Sequence, residues 1–109
     1  IDHASHDNDA LRAVREIVEL DTVVEDLSAW ADSRPEGSRV SIIVTADHET
    51  GGLTVTSGNG AGNLPNLSWS TTGHTGMNVN LYIDAPLLPD TTDPMENEEI
   101  FEYLQRLVY

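Results

Sequence analysis

Cysteine is absent from the 109 residues, and so is lysine. The first absence excludes disulfides, cysteine-ligated zinc fingers and thiol nucleophiles. The second leaves five cations, all arginine, against 19 Asp plus Glu, for a formal net charge of −14. Affinity for a nucleic-acid backbone or an anionic membrane surface is carried by Lys and Arg. Neither nucleic acid nor membrane is therefore an expected partner. Long hydrophobic runs are also missing: the longest, Val40 to Ala46, is strand-sized, far below the roughly 18 residues of a membrane span. At 39% hydrophobic residues the chain is too apolar to be disordered. Its length allows one domain with a small core. The first residue is Ile1 and no basic, apolar leader follows. The expectation is a chain that has lost any signal peptide or starts inside a longer protein.

Apolar residues at Leu11, Val14, Ile17, Val18, Val24, Leu27 and Ala31 recur at helical spacing and predict a helix from about Asn8 to Ala31. Pro35 and Gly37 stop it. The β-branched run Arg39 to Ala46 has apolar residues on both faces, as a buried, parallel strand does. Strands are also expected at Leu53 to Thr56 and Met77 to Ile83. An irregular loop is expected over Ser57 to Asn66, Pro-bounded turns over Leu87 to Pro94, and a final helix over Met95 to Val108. The order points to an α/β layer fold. Three strands make a thin sheet, which would leave an apolar face or an edge open.

Three constellations could carry chemistry. In Asp2-His3-Ala4-Ser5-His6, Asp2 and His6 are four apart, so a helical turn would put both on one face within reach of one cation. Carboxylate plus imidazole suits zinc; the alternative is an acid-decorated helix start. Asp47-His48 follows the carboxyl end of the strand, where open α/β sheets place ligand sites. Sharing a metal would require the chain to turn there, and Gly51-Gly52 permits it; the alternative is a charged strand terminus capped by a loop. Ser70 to Gly76 surrounds His74 with hydroxyls, but no strand-to-helix nucleophile elbow accompanies them. The residues alone reach two acid–histidine pairs and one further histidine, a set suited to two zinc ions clamping a phosphoryl transfer.

Three stretches, Ile1-Asp2-His3-Ala4-Ser5-His6, Thr45-Ala46-Asp47-His48-Glu49-Thr50-Gly51-Gly52 and Gly73-His74-Thr75-Gly76, resemble in order and spacing the C-terminal part of an alkaline phosphatase. The resemblance implies a layered α/β/α fold with a mostly parallel sheet, residues 1–109 being the C-terminal segment of that single domain. It implies that Asp2, His6 and His74 ligate a first zinc, and that Asp47 and His48 supply two ligands of a second. His3 would lie near the phosphate. Magnesium would also be bound, its ligands lying mostly upstream of Ile1. The implied activity is zinc-dependent hydrolysis of phosphate monoesters through a phosphoserine intermediate, in a periplasmic or extracellular homodimer. The family's nucleophilic serine, phosphate-gripping arginine and third ligand of the second zinc would also lie upstream. This chain alone is expected to be an inactive fragment. A phosphodiesterase or phosphonate hydrolase of the same superfamily is one alternative; a non-catalytic acidic metal-binding module is the other.

Overall fold

A computed structural model describes residues 1–35, 40–84 and 94–108. The expectations at Glu36, Gly37 and Arg39, and the turns from Leu87 to Asp93, lie outside the described residues.

The chain begins with a short helix, α1 (Asp2–His6), and a long one, α2 (Ala10–Asp32). Asn8, between them, has a positive φ of 53°, a conformation asparagine tolerates better than most residues. It bends the chain so that Asp9 caps α2, its carboxylate accepting from the Arg12 N–H at 3.0 Å. The short extended elements follow: β1 (Ile42–Thr45), β2 (Glu49–Thr50), β3 (Thr54–Ser57), β4 (Asn66–Ser68), β5 (His74–Thr75) and β6 (Leu81–Asp84). Helix α3 (Asn97–Val108) comes last.

The strands form three two-stranded antiparallel pairs: β1 with β6, β2 with β5 and β3 with β4. This corrects the expected parallel strand, because β1 lies antiparallel to β6, with Ile43 opposite Ile83. A parallel partner needs a crossover of a dozen or more residues, usually a helix. The described chain between β1 and β6 contains short strands and loops but no helix, so β6 returns antiparallel. The mostly parallel sheet implied by the resemblance is not formed among the described residues. The α/β character is present in the two longer helices and these pairs. The predicted strand Leu53–Thr56 is shifted by one residue to β3, and Met77–Ile83 contracts to Leu81–Asp84.

The core is sparse. Ala4, Ala13 and Tyr103 are the buried hydrophobic residues among those described, joined by the polar Ser5 and Thr50. The apolar face predicted for α2 is largely uncovered: Leu11, Ile17, Val18 and Leu27 are exposed. The radius of gyration is 16.5 Å, against about 13 Å for a compact chain of this length. The accessible surface is 8179 Å², against about 5,900 Å² expected for a compact protein of this mass. The excess follows from the open face of α2 and from strand pairs that do not merge into one sheet. The best-packed region is instead the junction of α1, β2 and β5, and it carries the histidines.

Candidate metal centre

Helix α1 provides the first two side chains. One turn separates Asp2 from His6, and His6 Nε2 lies 3.4 Å from Asp2 Oδ1. The buried Ala4 and Ser5 hold the opposite side of this turn against the protein. The third side chain, His74, comes from 68 residues away, and its Nε2 lies 3.1 Å from His6 Nε2 and 3.7 Å from Asp2 Oδ1.

Two glycines explain that approach. Gly51 and Gly52 have φ of 93° and 57°, a region that favours glycine. A Cβ on Gly51 would stand 2.5 Å from Trp69 Cε3, and one on Gly52 would stand 1.9 Å from Ser70 Oγ. The absence of side chains lets residues 69–73 lie on the turn. The Gly51 N–H donates to the Gly73 carbonyl at 2.8 Å, and the Gly51 carbonyl accepts from the Ser70 and Thr71 N–H groups. The ladder then continues into β2–β5, where Thr50 faces His74 and Glu49 faces Thr75. Glu49 locks it: its carboxylate accepts from the Thr75 hydroxyl and from the N–H groups of Gly52 and Leu53. These bonds, the Thr75 hydroxyl foremost, hold the Glu49 carboxyl below its usual range.

Three donor atoms thus face one point. Tetrahedral zinc ligands at 2.0–2.1 Å are about 3.3–3.4 Å apart, and the three observed separations straddle that value. The circle through Asp2 Oδ1, His6 Nε2 and His74 Nε2 has a radius of about 2.0 Å, so one cation could meet all three at zinc–ligand distance. His6 Nδ1 lies 2.5 Å from the Thr72 carbonyl oxygen. A carbonyl only accepts, so Nδ1 carries a proton, and in the neutral ring Nε2 is the nitrogen that holds the lone pair. This is the arrangement of a metal-ligating histidine. Asp2 is held ionised below its usual range, chiefly by the hydrogen bond from the Thr50 hydroxyl.

Asp47 and His48 follow β1 where the chain bends, as a shared ligand pair would require. His48 Nε2 lies 3.4 Å from Asp47 Oδ2, and Asp47 is almost fully exposed. The His48 ring stacks on His74 with centroids 3.6 Å apart. Donor atoms of Asp2, His48 and His74 also lie within 4.8 Å of one another. The structure therefore gathers five of the six residues singled out from the sequence into one cluster. His3, the sixth, is exposed on α1 and makes no side-chain hydrogen bond or ion pair with the described residues. An open cleft lined by Asp47, His48, Thr75, Met77, Met95 and Ile100 runs beside the pair.

Sequence reasoning missed Thr50, Glu49 and the Thr72 carbonyl. Thr50 was findable only as a member of the same short string as His48, two residues further on. The partners of Glu49 and the Thr72 carbonyl depend on a long-range docking that no local pattern announces. Of the hydroxyls considered as nucleophiles, Thr75 is committed to Glu49, and Thr71 Oγ1 accepts from the Gly73 N–H.

The class so defined is a small α/β chain with a carboxylate–imidazole cluster suited to a zinc-type cation. Comparison with known proteins gives the family. Residues 1–66 match the family model described as alkaline phosphatase. The chain is 47% identical over 55 residues to an alkaline phosphatase of Schizosaccharomyces pombe, a match covering 50% of this chain and 10% of that protein. It is 36% identical over 69 residues to the repressible alkaline phosphatase of Saccharomyces cerevisiae, covering 63% of this chain and 12% of that protein. The chain belongs to the alkaline phosphatase family, and the matched stretches span only about a tenth of these relatives. No solved structure gives a significant match.

Proposed function

We propose that this chain forms the metal-ligating segment of a zinc-dependent phosphate monoester hydrolase that works through a phosphoserine intermediate. The observation that carries the proposal is the triad of Asp2 Oδ1, His6 Nε2 and His74 Nε2, whose mutual separations of 3.1–3.7 Å suit one cation. In this reading Asp2, His6 and His74 hold a first zinc, Asp47 and His48 contribute to a second, and His3 lies near the phosphate. Paired metals, when bound, supply Lewis acidity that clamps the attacking and leaving oxygens of a phosphoryl transfer.

The chain's own residues orient that chemistry. The Thr72 carbonyl keeps the His6 proton on Nδ1, the Gly51-Gly52 turn brings His74 to α1, and Glu49 ties β5 to that turn. Phosphoryl transfer also needs a nucleophile in line and fixed positive groups on the transferred oxygens. In the proposed enzyme those groups, and most of the magnesium ligands, come from sequence beyond these 109 residues. A homodimer acting in the periplasm or outside the cell is the corresponding expectation for the whole enzyme. No described helix is long and apolar enough to cross a membrane.

The test is hydrolysis of an activated aryl phosphate at alkaline pH by the full-length gene product, with and without chelator. The 109-residue chain, supplied with zinc and magnesium, is assayed beside it. Chelator-sensitive turnover by the first and none by the second is the expected result. Chelator-resistant turnover, or turnover by the short chain that Asp47→Ala abolishes, would contradict the proposal.

A further inference from the structure

We infer that the Thr50 hydroxyl is a positioning group linking the two ligand sets: it orients Asp2 and, through the same oxygen, fixes the tautomer of His48. The inference rests on the reading of Asp2, His6, His74, Asp47 and His48 as metal ligands. Thr50 is among the few buried residues, 8% exposed, and its Oγ1 lies 2.7 Å from Asp2 Oδ1 and 3.2 Å from His48 Nδ1.

A hydroxyl has one proton to give and lone pairs to receive with. The Asp2 carboxylate can only accept, so the Thr50 proton goes to Oδ1, and the 2.7 Å separation is that of a charge-assisted bond. Only lone pairs then remain to face His48. The 3.2 Å contact is a hydrogen bond when Nδ1 carries the ring proton. A neutral ring has only that one proton and would offer the Nε2 lone pair to a cation. That nitrogen is the one 3.4 Å from Asp47 Oδ2. One buried oxygen thereby sets the carboxylate of the first ligand set and the donor atom of the second. At His6 the Thr72 carbonyl does the same work for a single ligand.

The backbone keeps Thr50 in place independently of its hydroxyl, because it pairs with His74 in the β2–β5 ladder. Removing the hydroxyl should therefore leave the ladder intact. It should free the His48 ring and the Asp2 carboxylate, and the ring of His74, stacked on His48, would lose a fixed neighbour.

The experiment reads long-range 15N–1H NMR correlations of the histidine rings in the metal-free chain, together with zinc affinity by chelator competition. In the wild type, His48 Nδ1 should carry a proton. In Thr50→Val the Nδ1 proton should be lost wholly or partly and zinc binding should weaken about 10–100-fold, the usual effect of losing a partner that orients a ligand. Thr50→Ser should restore both. Backbone amide signals of β2 and β5 should be unchanged in all three. A wild-type His48 with no proton on Nδ1, or a Thr50→Val chain with wild-type Nδ1 protonation and affinity, would overturn the inference. If Thr50→Val does not fold, the wild-type tautomer and the Thr50→Ser chain decide. If the wild type binds no zinc, or binds it equally well as His74→Ala, the metal reading fails instead, and the metal-free tautomer still decides the role of Thr50.

Discussion

Replacing Gly51 by alanine should dismantle the cluster without touching a ligand. The φ of 93° at Gly51 is outside the ordinary range of L residues, and holding alanine there costs about 1–3 kcal/mol. The added Cβ would also stand 2.5 Å from Trp69 Cε3 and 3.2 Å from the Ser5 carbonyl oxygen. Carbon atoms pack at about 3.5–4.0 Å, so the indole must retreat by roughly 1 Å, at an overpacking cost of about 1–3 kcal/mol. The cheapest relief is for residues 69–73 to lift off the turn, giving up the bond from the Gly51 N–H to the Gly73 carbonyl. His74 would leave with them. Zinc binding would then have to redock the loop against at least about 2 kcal/mol, a loss of roughly 30-fold or more in affinity. Gly58→Ala is the matched control, since nothing lies within 4 Å of a Cβ there. The assay is zinc titration with a competing chelator, with Trp69 emission followed in a Trp30→Phe background. Wild-type zinc affinity in Gly51→Ala, with Trp69 emission unchanged, would show that the Gly51 turn does not hold His74 in place.

Ala4→Leu should act similarly from the other side: Ala4 is fully buried, and the added carbons should displace α1 at a cost of about 1–3 kcal/mol, seen as weaker zinc binding. Val18→Ser and Leu27→Ser, on the exposed face of α2, should change the denaturation midpoint of this chain by no more than about 0.5 kcal/mol equivalent and leave zinc binding alone. Glu49 has a lowered folded pKa, so its stabilisation of the β2–β5 junction should be fully present above about pH 4.3, the ordinary glutamate value. It should be lost as pH falls through the lowered folded value. Amide exchange at Gly52 and Leu53 should accelerate there, and in Glu49→Gln that pH dependence should vanish.

The side chains of the proposed metal centre could be named from the sequence because each lies in a short, strongly marked string, and α2 was legible from its periodicity. What was not legible has a common cause. Strand β5 is two residues long and polar, and it exists because the Gly51 turn offers it a docking surface. Strand β4 was missed inside a polar stretch for a similar reason, since it is held by its partner β3. Both the burial and the pairing of β1 were misread: its residues are half-buried or exposed, and apolar residues on both faces do not by themselves choose parallel over antiparallel. The open face of α2 was foreseen in outline, since a thin sheet with one long helix cannot cover every apolar surface.

The central claim is that Asp2, His6 and His74 hold one cation. It is tested most directly by zinc stoichiometry and affinity of the 109-residue chain, measured in parallel for the wild type, His6→Ala, His74→Ala and His3→Ala. Losing one of three ligands should cost about 3 kcal/mol, since four-ligand structural sites supply roughly 10–16 kcal/mol. The account predicts close to one tightly bound zinc per chain, affinity at least about 100-fold weaker in His6→Ala and in His74→Ala, and little change in His3→Ala. Equal effects of His3→Ala and His74→Ala, or no effect of any, would contradict it.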